Sequence, residues 1–147
     1  MKTFILISAI ILLSFTIDEV PKGVNRIVFY NSNQKELNAT KIKNKLNNLS
    51  VDFTYNAESG VLKTEILKHN RLNFQYFIKY QCMDSMVVVT GYYKANYNIN
   101  IYNVEIENTF EKISKSGMNG SIKYESFNKL FEFSNLVEFN FYQLFSD

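Results

Sequence analysis

Two stretches decide the fold: Leu72-Asn-Phe-Gln-Tyr-Phe-Ile-Lys-Tyr-Gln81 and Met86-Val-Val-Val-Thr-Gly-Tyr-Tyr-Lys94. In the first, Leu72, Phe74, Tyr76, Ile78 and Tyr80 recur at every second position. That period lines one face of a strand and matches no helical stripe. The second is dense in β-branched and aromatic residues, which suit a pleated, half-buried surface. Met83-Asp-Ser85 between them reads as a turn.

Outward from this pair the pattern alternates between sheet and helix. Arg26–Tyr30 (RIVFY) reads as a short strand. Ala39, Ile42, Leu46 and Leu49 then recur at helical spacing, which predicts an amphipathic helix over Lys35–Asn48. Asn33 and Glu36 have the spacing of a capping box at its start. Residues 51–55 alternate, 56–60 form a turn and 61–67 resume as a strand, so the two strands make a hairpin. Residues 97–106 read as a further strand in which the apolar side changes, so a bulge or break is expected near Ile101. Ser121 can cap a second helix over 122–144, whose apolar face holds Phe127, Leu130, Phe131, Phe133, Val137 and Phe141. The expected class is α+β: an antiparallel sheet of about five or six strands, with an N-terminal and a C-terminal helix on one face, in the order β-α-β-β-β-β-β-α.

The first fifteen residues, MKTFILISAIILLSF, place a lysine before a twelve-residue uncharged run, with Asp18 and Glu19 after it. The run fits a secretory leader and is shorter than the roughly 20 apolar residues of a spanning helix. The expectation is a signal peptide over 1–16, cleaved near Thr16, and a single domain over 17–147 that is exported to the periplasm or the outside, with no stable membrane span after processing. An uncleaved anchor or a strand of the core is the alternative reading of this run.

The chain of 147 residues has 46% hydrophobic and 20% charged residues, as expected of one folded domain. A single proline, five glycines and one cysteine exclude a proline-rich linker, a collagen repeat and an internal disulfide framework. A net charge of +2 gives no bulk attraction for nucleic acid, and no nucleic-acid partner is expected.

Three segments carry a resemblance: Gly23-Val-Asn-Arg-Ile-Val-Phe29, Ser59-Gly-Val-Leu-Lys-Thr64, and Ile113-Ser-Lys-Ser-Gly-Met-Asn-Gly-Ser121 before a phenylalanine-rich helix. In this pattern the chain resembles small exported bacterial proteins of unknown function, themselves similar to lipoproteins of the outer-membrane-assembly type. The resemblance implies a TATA-binding-protein-like or helix-grip fold and an envelope location, and no activity. The chain departs from the lipoprotein pattern in lacking the lipidated cysteine, so membrane tethering is not carried over.

Reactive groups are few. His69 is the single imidazole and Cys82 the single thiol. They form a dyad only by elimination, and His69 in Lys68-His-Asn-Arg71 reads better as a solvated turn residue, Cys82 as a small buried hydrophobe. One histidine and one cysteine are too few for an ordinary zinc site. Glu105, Glu107 and Glu111 are the densest carboxylates, and a solvated strand face ending in a loop accounts for them better than acid–base chemistry does. The Gly117-Met-Asn-Gly-Ser121 loop opens a helix but lacks the lysine and spacing of a phosphate loop. Asn38, Asn48 and Asn119 stand in glycosylation sequons, which matter only in a eukaryotic secretory route.

Tyr76, Tyr80, Tyr92, Tyr93 and Tyr97 are the candidate ligand or partner surface, because tyrosine joins an apolar ring to a polar tip. No catalytic residue, metal ligand or cofactor is assigned. The expected function is a non-enzymatic binding or assembly module whose partner is an envelope protein. The alternative is a carrier holding a small apolar or amphipathic ligand between the sheet and the C-terminal helix.

Overall fold

The computed structural model describes residues 17–96 and 109–147, together with the backbone of Ile5–Ile7. The elements run β1 (Ile5–Ile7), a 3-10 turn (Ile17–Glu19), β2 (Arg26–Tyr30), α1 (Lys35–Asn48), β3 (Phe53–Asn56), β4 (Val61–Thr64), β5 (Leu67–Lys68), β6 (Phe74–Met83), β7 (Met86–Ala95), β8 (Glu111–Lys112), α2 (Ile122–Ser134) and β9 (Phe141–Phe145). The strand expected over 97–106 lies outside the described residues, as do Tyr97, Glu105 and Glu107.

The fold is α+β. One antiparallel sheet has the order β1-β9-β2-β7-β6-β4-β3. β6 and β7 pair along their whole length, from Phe74 opposite Ala95 to Met83 opposite Met86. β5 pairs with β6 and so prolongs the line begun by β4, while β8 pairs with β7 and prolongs the line of β2. Ile5–Ile7, within the stretch expected to be a leader, pairs with the outer edge of β9.

Alternation divides the sheet into two faces. Phe74, Tyr76, Ile78, Tyr80 and Cys82 on β6 and Val87, Val89 and Gly91 on β7 are buried, and the residues between them are half-buried. Both helices cover the buried face. α1 contributes Ala39, Ile42 and Leu46, and α2 contributes Phe127, Leu130 and Phe133. Each fully buried leucine, isoleucine or phenylalanine contributes about 1.5–3 kcal/mol relative to exposure.

Gly91 lets α2 lie close to the sheet. A Cβ there would stand 2.9 Å from Ile113 Cδ1, 3.1 Å from Ile78 Cδ1 and 3.4 Å from Leu130 Cδ1.

Sequence and structure part in three places. The expected capping box at α1 does not form: the N-cap is Gln34, with no side-chain bond. Asp84 in the β6–β7 turn supplies the acceptor instead, its Oδ1 lying 2.8 Å from the Lys35 amide nitrogen. Asn38 holds the same turn through its amide, which donates to the Met83 carbonyl at 3.0 Å. Asn38 is 3% exposed, so its sequon is closed to modification in the folded chain.

The C-terminal helix is shorter than expected. It ends at Ser134, and Phe141–Phe145 is a strand between β1 and β2. Val137 and Phe141 continue the helical spacing by coincidence; Phe-Tyr-Gln-Leu-Phe has a period-two pattern that β2 selects by pairing. With β1, β5 and β8 also added to the five or six strands expected, the strand count among the described residues is nine.

His69 is the third departure. It is 9% exposed rather than solvated, and its ring stacks on Phe74 at 4.7 Å.

Candidate functional site

The tyrosines singled out from the sequence do not share a surface. Tyr76, Tyr80 and Tyr93 lie on the helix-covered face and are 5%, 0% and 7% exposed. Tyr92 lies on the opposite face, and Tyr97 is outside the described residues. Burial pushes the Tyr76 phenol up to about 12. Burial holds the Tyr80 phenol still further above its ordinary range, so it remains a neutral donor, bonding the Phe133 carbonyl at 2.8 Å. Tyr93 donates to Glu111 Oε2 at 3.2 Å.

The candidate catalytic groups are far apart. Cys82 is fully buried at one end of β6, and its thiol is pushed up to about 11 by burial. His69 packs on Phe74 at the other end, eight residues and about 26 Å along the strand. His69 Nδ1 accepts from the amides of Arg71 at 3.2 Å and Leu72 at 2.9 Å, which braces the β5–β6 turn. Burial lowers its pKa first, with Lys129 and Arg71 adding to that and Glu125 and Glu132 opposing it. A thiol held neutral and a distant imidazole used as a backbone acceptor do not make a nucleophile and base. Among the described residues no three histidine, cysteine or acidic side chains come together to hold a metal.

The glycine-rich loop works as a connection. Ser121 caps α2, its Oγ accepting from the Tyr124 amide at 3.2 Å, and Gly117 has φ +82°. A Cβ at Gly117 would stand 2.5 Å from that same Ser121 oxygen. A polar recess of about 80 Å³ opens nearby between Tyr93, Glu111, Ser114 and Lys123. It is several times smaller than the roughly 300–1,000 Å³ of a small-molecule pocket.

The face of the sheet away from the helices carries what remains. Phe77 on β6 stacks on its cross-strand partner Tyr92 on β7, centroids 5.0 Å apart at 18°. Phe110 packs against Phe77 at 5.2 Å. The Lys63 ammonium lies 4.3 Å from the Phe77 centroid and that of Lys94 lies 6.0 Å from Phe110. Further along, Tyr30 stacks on Phe141 at 4.6 Å and bonds Gln143 at 2.6 Å. Phe77, Phe110 and these lysines were not picked out from the sequence. The signal available was parity: Phe77 and Tyr92 occupy the positions between the buried residues of their strands.

Comparison of this chain with protein-family models, with curated proteins and with solved structures found no match.

Proposed function

We propose that this chain is an exported, non-enzymatic binding or assembly module of the cell envelope, engaging its partner through the face of the sheet that the helices leave uncovered. The observation that carries this reading is the aromatic cluster of Phe77, Tyr92 and Phe110 with lysines against it on that face. Aromatic rings joined to cations are typical of surfaces that bind. The separation of His69 from Cys82 weighs against an enzyme.

Export rests on the order of charge, apolar run and polar exit in the first nineteen residues. Among the described residues no helix is long and apolar enough to cross a membrane.

The carrier reading is weaker. Between the sheet and α2, Tyr80, Ile78, Ile113, Phe127 and Leu130 are all fully buried in one cluster, which takes up the space a ligand would need.

Cell fractionation with N-terminal sequencing tests the reading. The expected product is shortened near Thr16 and found outside the cytoplasm. A photo-crosslinker in place of Thr90, on the uncovered face, captures an envelope component, whereas one in place of Asn128 on α2 does not. A full-length chain confined to the cytosol overturns the proposal.

A further inference from the structure

The uncovered face is organised in rows across the strands. Lys63 on β4 stands directly opposite Lys79 on β6. One step along comes the aromatic row, with Phe77 opposite Tyr92. One step further, Lys68 on β5 stands opposite Gln75, which stands opposite Lys94 on β7. Side chains on one face repeat every second residue, so each lysine row lies about 7 Å from the aromatic row, one on each side.

Among the described residues these lysines have no ion-pair partner. Among the described residues the ion pairs are Lys41–Glu138, Lys112–Asp147 and Lys129–Glu132, and none involves Lys63, Lys68, Lys79 or Lys94. Like charges placed directly opposite on a sheet destabilise it. The Lys63–Lys79 pair is therefore a local cost to folding that an anion would relieve.

From this arrangement we infer that the row of Phe77 and Tyr92, flanked by the two lysine rows, is a binding track for a linear acidic glycan. The inference rests on the binding-module reading and names its ligand class. A chain lying along the aromatic row would meet cations on both edges, which suits a polymer whose acidic groups project to both sides. Single-stranded nucleic acid keeps its phosphates along one edge and needs open ring faces for its bases. Phe77 already stacks on Tyr92 and carries the Lys63 ammonium, so its faces are engaged.

Binding of the full chain to immobilised alginate oligosaccharide tests this, with neutral dextran, a twelve-residue oligothymidylate and phosphatidylglycerol vesicles as the other arms. The expected result is binding to alginate that weakens steeply with salt, and none to dextran. The double variant K63Q/K79Q is expected to lose about tenfold or more in affinity, as is K68Q/K94Q on the other edge. K22Q/K123Q, away from the track, is expected to bind as the parent does.

Unchanged affinity in both track variants overturns the inference, as does tighter binding to the oligothymidylate or the vesicles, or binding to none of the polyanions. The two proposals fail separately. A Thr90 crosslink to an envelope protein, with no alginate binding, removes the glycan and leaves the module. A cytosolic location with alginate binding does the reverse.

Discussion

The Tyr80 hydroxyl donates to the Phe133 carbonyl at 2.8 Å, joining the middle of the sheet to the last turn of α2 across 53 residues of sequence. Both ends of this bond are shielded from water. Removing the hydroxyl deletes a buried hydrogen bond but leaves the Phe133 carbonyl accepting from the Leu136 amide at 3.3 Å, so the cost is about 0.5–1.5 kcal/mol. Tyr80→Phe should therefore lower the urea midpoint without changing the slope of the transition.

Asp84 does for α1 what Ser121 does for α2, from a distant turn. Its carboxylate accepts from the Lys35 amide at 2.8 Å. Asp84→Ala is expected to cost about 1 kcal/mol, the ordinary value of an N-cap, while Asp84→Asn keeps an acceptor and most of the stability. Thermal unfolding of the two variants side by side checks this.

Substitution of Gly91 probes the fit of α2 on the sheet. Its missing Cβ leaves room for the terminal methyl groups of Ile113, Ile78 and Leu130. Gly91→Ala should destabilise by about 1–3 kcal/mol through overpacking. Pairing Gly91→Ala with Ile113→Val, which removes the nearest of those methyls, should recover part of the loss.

His69 sets a pH dependence. Burial lowers its folded pKa below the ordinary value of 6.5, so the unfolded chain binds more protons in the interval between the two. Its contribution is complete above about pH 6.5, where the imidazole is neutral in both states, and falls away as the pH drops through the lowered folded value. The physical event is protonation of Nδ1, which then cannot accept from Arg71 and Leu72. Lys129 and Arg71 disfavour the charged ring and Glu125 and Glu132 favour it, so the net direction follows burial. In stability measured from pH 8 to pH 5, His69→Gln should flatten the acidic decline relative to the parent.

These residues also show what could be read in advance. α1 was legible because Ala39, Ile42 and Leu46 lie on one stripe, and the observed bounds Lys35–Asn48 are those expected. β6 and β7 were legible because a strand buried on one face must alternate. Which side the helices would take was partly legible: Phe74, Tyr76, Ile78 and Tyr80 fell on one face, but grouping Tyr92 with Tyr93 ignored that adjacent residues of a strand face opposite ways. The Asp84 cap and the burial of His69 depend on contacts between residues distant in sequence or on a covering helix, and local patterning holds no record of either. β9 was hidden because its five residues satisfy two periods at once, and pairing with β2 chose between them.

The place of β9 has a bearing on the order of events in the cell. Arg26 faces Phe145 in the register, so β2 waits for a neighbour made some 120 positions later. Until Phe141–Phe145 has been made, the ribbon lacks an inner member and β2 has a partner on one side alone.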